Sequence, residues 1–218
     1  MISSTPKSEG FRRFIDFFNL TQRERLDGLD KSYFDPMSQE EKALAFDILK
    51  KSVSTSEESV RGLYLCDPDK AIDLFKILIP ENLPDFGSLR EKEAAIDCKI
   101  LMAGIVANHS PSIESISTLI SLKKESISGR NRANIYKHIP IDKTTVETLE
   151  FLKHSLLEED NEDSLSYVIE TFLNLHGITF SIRDKKYKEI YSSLLKASSE
   201  EKISCIKDIE SNYAVDYL

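Results

Sequence analysis

The chain has 218 residues, of which 40% are apolar and 30% are charged, and its formal net charge is -8 at pH 7. These values are ordinary for a globular protein with a substantial core. The acidic balance argues against a general DNA- or RNA-binding protein, because such proteins neutralise phosphates with lysine and arginine. It is compatible with a basic protein partner, and equally with a charge that only serves solubility.

Neither a membrane span nor a secretion signal is expected. The chain has no apolar run approaching the roughly 18 residues that a span needs. Its first residues, MISSTPKSEGFRRF, lack the apolar segment of a signal peptide. The cysteines Cys66, Cys98 and Cys205 are odd in number and widely spaced, which favours free thiols in a reducing compartment. We therefore expect a cytoplasmic protein.

The chain contains only seven glycines and seven prolines, which is too few for many short strands and hairpins and favours helices. We expect residues 1–10 to be frayed, 11–20 to form a strongly apolar helix, and 21–36 to form a short helix and a turn. The stretch ITFSI, residues 178–182, is the one candidate strand, and alone it cannot form a sheet.

Capping patterns mark the other helices. Ser38 with Glu41 forms a capping box, and the same pattern predicts helix starts at Thr55, with Glu58, and at Thr144, with Glu147. Asp67 is expected to cap a helix with Pro68 in its first position. Further helices are predicted from Ser88 and from Ser110, over 128–139, over 165–176 with Gly177 as C-cap, and around 187–194 and 203–206. The sequence thus predicts an all-α fold of ten to twelve helices in a single domain over residues 11–218.

The stretch SVRGLYLCDPDKAIDLFKILIP, residues 59–80, resembles the central part of a HEAT-type repeat. An arginine follows an apolar residue on one helix, and the next helix has the form A-x-x-L-x-x-x-L; the matching residues are Val60, Arg61, Ala71, Leu74 and Leu78. Weaker matches to the same pattern occur at Leu89-Arg90 with Ala94 and Ala95, and at Arg132-Ala133. The resemblance implies stacked antiparallel helix pairs that form a short HEAT-like α-solenoid, with Arg61 as a contact between repeats; another all-α fold is the alternative.

No pattern typical of catalysis is present. The chain has no H-E-x-x-H sequence, no glycine-rich phosphate loop and no G-x-S-x-G turn. His154 and Glu158 stand one helical turn apart, which is more typical of a surface contact than of a metal site. The triplets at 40–42 and 200–202 are similar to E-x-K sequences of metal-dependent nucleases, but both are expected to open helices, where the dipole favours their glutamates. We expect no catalytic residue, no cofactor and no metal.

Cys66 lies beside Asp67 between two apolar segments, a position that raises the question of a reactive thiol. A reactive cysteine needs a nearby cation, a histidine or a helix N-terminus to stabilise its thiolate. The neighbouring carboxylate opposes that, and no histidine is close in the sequence. We predict that Cys66 and Cys98 are buried and unreactive.

Charges in the second half of the chain are segregated. A basic strip comes first and consists of Lys123, Lys124, Arg130, Arg132 and Lys137. An acidic set follows and consists of Glu147, Glu150, Glu158, Glu159, Asp160, Glu162 and Asp163. These residues either form local ion pairs between helices, or the acidic set is a docking surface for a basic protein.

Small, acidic, all-α proteins without catalytic motifs resemble bacterial immunity proteins as a class. The resemblance implies binding and silencing of a cognate toxin, often a basic nuclease, by carboxylates that mimic phosphates. We therefore predict a non-catalytic immunity protein that uses the acidic set. Two alternatives stay open: a helical-repeat scaffold that binds a peptide or protein, and a helical-repeat nucleic-acid-binding protein that uses the basic strip.

Overall fold

The computed structural model describes residues 7–20, 28–179, 184–215 and 217. Every regular element in these ranges is helical, apart from an isolated β-bridge between Thr144 and Tyr217, so the all-α prediction is confirmed. A 3-10 turn covers Leu122–Lys124. The described part contains twelve α-helices, numbered α1 to α12 in chain order: Glu9–Phe17, Lys31–Phe34, Gln39–Lys50, Glu57–Cys66, Pro68–Leu78, Leu89–His109, Ile113–Ser121, Gly129–Lys137, Val146–Glu158, Glu162–Leu175, Lys185–Lys196 and Ser199–Asn212.

The chain divides into two compact units, Met1–Lys99 and Ile100–Leu218, with the boundary inside α6. A single domain over residues 11–218 stays a prediction.

None of the described helices combines the length and the apolar character needed to cross a membrane. Three sequence predictions fall partly on residues outside the described ranges: the frayed residues 1–10, the short helix from residue 21 and the candidate strand at 178–182.

In the first unit, the phenylalanines of α1 form one part of the core, and α1 packs on α2 and α3. Phe14 is fully buried, and its ring centroid lies 5.7 Å from that of Phe34 on α2. The helix begins at Glu9, two residues before the predicted start, because the Ser8 hydroxyl accepts a hydrogen bond from the N–H of Phe11. The N–H of Ser8 in turn donates to Glu41 of α3 at 2.6 Å, which ties α1 to α3.

The predicted joint at Asp67 is confirmed. Asp67 follows the last residue of α4, and its Oδ1 accepts a hydrogen bond from the N–H of Lys70 at 3.2 Å, which caps α5. Pro68 occupies the first position of α5, where a missing N–H costs nothing. Arg61 forms an ion pair within α4, 3.6 Å from Glu57, instead of the expected contact between repeats.

Three predicted helix starts are corrected by one or two residues. The N-caps are Ser56, Ser112 and Thr145, where the sequence suggested Thr55, Ser110 and Thr144. In each case a second hydroxyl residue lies close by and takes the extended backbone conformation of a cap. Two glutamates expected in capping boxes bind elsewhere: Glu58 accepts from the N–H of Leu29, and Glu147 accepts from the Ser117 hydroxyl. The capping box at Ser38 is confirmed.

In the second unit, α10 is the central helix and packs against α8, α9 and α11. Its buried face includes Val168, Ile169, Phe172 and Leu173, all 0% exposed. The helix ends at Leu175 with His176 as its C-cap, one residue before the predicted cap. Gly177 follows with a φ of 69°, a conformation that favours glycine. The last helix, α12, packs against α9 and α11.

Helices α8 and α10 lie side by side and run in the same direction. The Ser164 hydroxyl donates to the carbonyl oxygen of Gly129, and the Thr171 hydroxyl donates to that of Tyr136 at 3.0 Å. Both bonds join residues 35 apart in the sequence, so the two helices keep a constant register. At their N-terminal ends a Cβ on Gly129 would overlap the Asn161 side chain, so the close approach depends on glycine.

Candidate protein-binding site

The structure places the predicted acidic set on three different parts of the second unit. Glu147 and Glu150 lie in the first two turns of α9, and Glu158 is its last residue. Glu159 and Asp160 lie in the connection to α10, and Glu162 and Asp163 form the first turn of α10. The set therefore does not form one continuous surface; only its last four members cluster, at the turn between α9 and α10.

Glu159 is held inside the protein by Arg132 of α8. Arg132 Nε lies 2.9 Å from Glu159 Oε2, and Arg132 Nη2 lies 2.7 Å from Glu159 Oε1. The Glu159 side chain is 1% exposed, and the Tyr136 hydroxyl also donates to it at 3.2 Å. These two charges stabilise the contact between α8 and the α9–α10 turn, so neither is available as a main contact for a partner.

Lys123 of the basic strip is also engaged within the unit. Its Nζ donates to the Ser155 hydroxyl of α9 at 3.0 Å and lies 5.3 Å from the centroid of the Phe151 ring. Lys124, Arg130 and Lys137 are exposed. The basic strip is thus split between Lys123 and Arg132, which bind α9 and the α9–α10 turn, and residues at the surface. It does not form a single positive face.

The acidic residues on α9 have partners as well. The Ser117 hydroxyl donates to Glu147 at 2.6 Å. Lys153 Nζ lies 2.6 Å from Glu150 and 2.9 Å from Glu210 of α12. His154 Nε2 lies 3.0 Å from Glu158, the local surface contact that the sequence favoured. Of these three glutamates, Glu150 forms an ion pair with a lysine, whereas Glu147 binds a neutral hydroxyl and Glu158 contacts a histidine.

The turn between α9 and α10 has a different character. Asp160, Glu162 and Asp163, which we call the acidic turn, are exposed, and the side chain of Asp160 is 91% accessible. Asp160 lies 3.3 Å from Arg132, which Glu159 already binds more closely. In the ranges that the structure describes, Glu162 and Asp163 have no ion-pair partner. The positive end of the α10 dipole offsets their charges in part.

A groove with a cavity volume of about 600 Å³ opens between α8 and α10 beside the acidic turn. Its lining is polar and carries both signs of charge: Arg130, Ala133, Asn134, Asn161, Asp163, Ser166, Tyr167 and Glu170. Tyr167 is 37% exposed and is the one aromatic side chain of this lining. A groove of this size with convergent polar groups fits a side chain or a short peptide segment.

Sequence analysis did not single out Tyr167, Glu170, Asn134 or Asn161. On α10 the lining residues stand at positions 163, 166, 167 and 170, the spacing of one helix face. This polar stripe opposite the apolar face was readable in the sequence. The participation of α8 was not, because it depends on the parallel register of two helices.

The residues considered for catalysis have structural roles. Glu41 and Glu201 of the two E-x-K triplets close capping boxes, and hydrogen bonds from the N–H groups of Ser8 and Ser38, and of Ser198, lower the pKa of each carboxyl. Within the described ranges, no three His, Cys, Asp or Glu side chains are grouped so that they could hold a metal ion.

The cysteine predictions are confirmed as regards burial. Cys66 and Cys98 are buried, and the Cys66 thiol donates to the carbonyl oxygen of Lys42 at 3.3 Å. Burial raises the pKa of Cys66 to about 11 and that of Cys98 to about 12. Both thiols therefore stay protonated near neutral pH.

The chain matches no known family model, no curated protein and no solved structure.

Proposed function

We propose that this chain is a non-catalytic protein-binding module that binds a basic protein through the acidic turn and the adjoining α8–α10 groove. The observation that carries the proposal is the grouping of exposed carboxylates beside a groove that contains a partly exposed tyrosine. Tyrosine is enriched at the centres of protein interfaces, and exposed carboxylates around it speed the approach of a basic partner.

In its more specific form, the proposal is that the chain is a cytoplasmic bacterial immunity protein. Its partner is then a cognate toxin domain, a basic nuclease whose phosphate-binding residues meet Asp160, Glu162 and Asp163. Carboxylates suit this role because they present anionic oxygens to arginine and lysine as phosphates do. The acidic surface assigned here is smaller than the predicted set, since Glu159 is buried and Glu147, Glu150 and Glu158 have local partners.

The test is co-expression with the toxin domain encoded beside this chain's gene. Cells that express the toxin are expected to grow only when this chain is present, and the two proteins are expected to co-purify. Cells that survive the toxin without this chain, or die despite its presence, would contradict the immunity function.

A matched pair of variants tests the binding surface. The double variant Glu162→Gln/Asp163→Asn removes two first-turn carboxylates from α10, and Glu114→Gln/Glu200→Gln removes two first-turn carboxylates from α7 and α12. Both variants remove two negative charges from first turns of helices, the first from one helix and the second from two. Only the first is expected to slow association with the toxin, because exposed charges at an interface act mainly on the association rate. Equal rates for the two would exclude the acidic turn as the binding surface.

We also propose that α8 to α10 form a step of a HEAT-like stack of helix pairs. The parallel register of α8 and α10, with its offset of 35 residues, supports this because equivalent helices of successive repeats run in parallel. Helix α12 departs from such a stack because it packs against α9 of the preceding pair: Lys202 binds the carbonyl oxygen of Leu156, and Glu210 binds Lys153. An experimental structure with α8 and α10 antiparallel would contradict the proposal.

The scaffold is the second candidate function, and the α8–α10 groove favours it because a groove also suits an extended peptide. It predicts peptide binding without any effect on a toxin. The nucleic-acid alternative loses support from the engagement of Lys123 and Arg132 within the unit. It predicts a salt-dependent gel shift of DNA or RNA, and absence of that shift at low salt would remove it.

A further inference from the structure

We infer that the α8–α10 groove is a receptor for an arginine side chain of the partner, with Glu170 and Tyr167 as its main contacts. The inference rests on the proposed protein-binding function and specifies the chemistry that the groove recognises.

Glu170 is the residue of the groove whose charge the fold does not account for. It lies in the ninth position of the fourteen-residue α10, so the helix dipole that favours Glu162 and Asp163 does not reach it. Its side chain is half-buried, and no cation is paired with it among the described residues. A half-buried carboxylate is screened less by solvent than an exposed one, so an incoming cation gains more from it.

Tyr167 supplies the second contact. It stands one turn before Glu170 on the same face of α10, and both line the groove. A guanidinium group is planar and stacks on an aromatic face while its N–H groups bind a carboxylate, whereas the lysine ammonium group does not stack. This combination of a ring and a carboxylate favours arginine over lysine.

The positions of the other lining residues indicate which end of the groove the guanidinium group occupies. With an offset of 35 residues, Arg130 lies level with residue 165 and Asn134 with residue 169. Arg130 is therefore at the N-terminal end of the groove, near Asp163, while Glu170 is at the opposite end beside Asn134. The Glu170 end is thus the end of the groove farther from the arginine of the lining.

The direct test uses two blocked pentapeptides and the full chain. One peptide carries a single arginine among alanines, and the other carries citrulline, which has the same shape without the charge. In amide-resolved NMR titrations, the arginine peptide is expected to shift the signals of residues 163–170. The citrulline peptide is expected to bind about ten-fold more weakly, which is the loss expected for a partly desolvated cation–π and carboxylate contact.

Variants assign the contacts. Glu170→Gln is expected to weaken binding of the arginine peptide about ten-fold, while Glu114→Gln, an equal charge change on α7 outside the groove, leaves it unchanged. Tyr167→Phe is expected to retain binding and Tyr167→Ala to lose it, because the ring and not the hydroxyl makes the contact. Circular dichroism of each variant confirms that the fold is retained.

Several results would overturn the inference: equal binding of both peptides, equal behaviour of Glu170→Gln and Glu114→Gln, shifts confined to other helices, or no shift at millimolar peptide. These outcomes are separate from the toxin experiment. Neutralisation without arginine binding would remove the arginine site and leave the immunity function. Arginine binding without neutralisation would support the site and leave the chain as a peptide-binding scaffold.

Discussion

Arg132 of α8 and Glu159 of the α9–α10 turn form a bidentate ion pair, with Nε 2.9 Å from Oε2 and Nη2 2.7 Å from Oε1. In the sequence they belong to two segments of opposite charge, and 27 residues separate them. The fold brings the two segments together where α8 meets the α9–α10 turn, so part of the charge segregation serves to join these elements. The charges of the acidic turn are not used in this way and remain exposed for a partner.

Replacement of Arg132 by methionine is expected to lower the free energy of unfolding by about 3 kcal/mol. The reason is that Glu159 would remain buried without a cation, and its desolvation would no longer be compensated. Urea denaturation followed by circular dichroism measures this loss. Arg132→Lys keeps the charge without the bidentate geometry, so its free energy of unfolding is expected to lie between those of the wild type and Arg132→Met. A loss for Arg132→Met below about 1 kcal/mol, the level of an exposed pair, would contradict this account.

Because of the Arg132–Glu159 ion pair, we expect the free energy of unfolding to depend on pH. Burial acts to raise the pKa of Glu159, but the hydrogen bonds from Arg132, the Asn161 N–H and Tyr136 outweigh it and lower the pKa overall. The unfolded chain, with an ordinary glutamate pKa of about 4.3, then binds the proton first as the pH falls. The stabilisation is therefore complete above roughly pH 5 and is lost as the pH falls through the lowered pKa of the folded state.

Comparison with Glu159→Gln isolates this contribution from that of the other carboxyl groups. The wild type is expected to be more stable than Glu159→Gln by a constant amount between pH 7 and pH 5, and the difference is expected to shrink at lower pH. Denaturation curves at half-unit pH steps measure it. A difference that stays constant down to pH 3 would show that Glu159 does not have a lowered pKa.

The helices were predictable because their signals are local. The capping box at Ser38 and the Asp67–Pro68 joint each depend on a few adjacent residues, and both are confirmed. Gly177 marks the end of α10 in the same local way, although the C-cap itself is His176. The misplaced caps have the same origin, since Thr55 and Thr144 are followed directly by a second hydroxyl residue that local rules do not distinguish. The groove was not predictable, because Glu170 and Asn134 meet through the packing of two helices that are distant in sequence.

The cap at Asp67 gives a further prediction. Asp67→Ala is expected to lower the free energy of unfolding by about 1 kcal/mol, since it removes the hydrogen bond to the Lys70 N–H at the start of α5. Asp67→Asn keeps an oxygen acceptor and is expected to remain close to the wild type. Asp73→Ala, at an exposed position within the same helix, controls for the loss of a carboxylate. Equal effects at Asp67 and Asp73 would mean that the cap contributes nothing.

The three thiols are expected to react in an order set by burial. Cys205 is half-buried, whereas Cys66 and Cys98 are buried, so that burial raises their pKa values to about 11 and about 12. Iodoacetamide reacts with the thiolate, and mass spectrometry at neutral pH is therefore expected to find label on Cys205 first and on the other two only after denaturation. Cys66→Ala is expected to bind the partner as the wild type does, because the thiol is buried and donates to the Lys42 carbonyl within its own unit. Rapid labelling of Cys66 in the folded protein, or loss of partner binding in a folded Cys66→Ala variant, would instead make this cysteine a functional group.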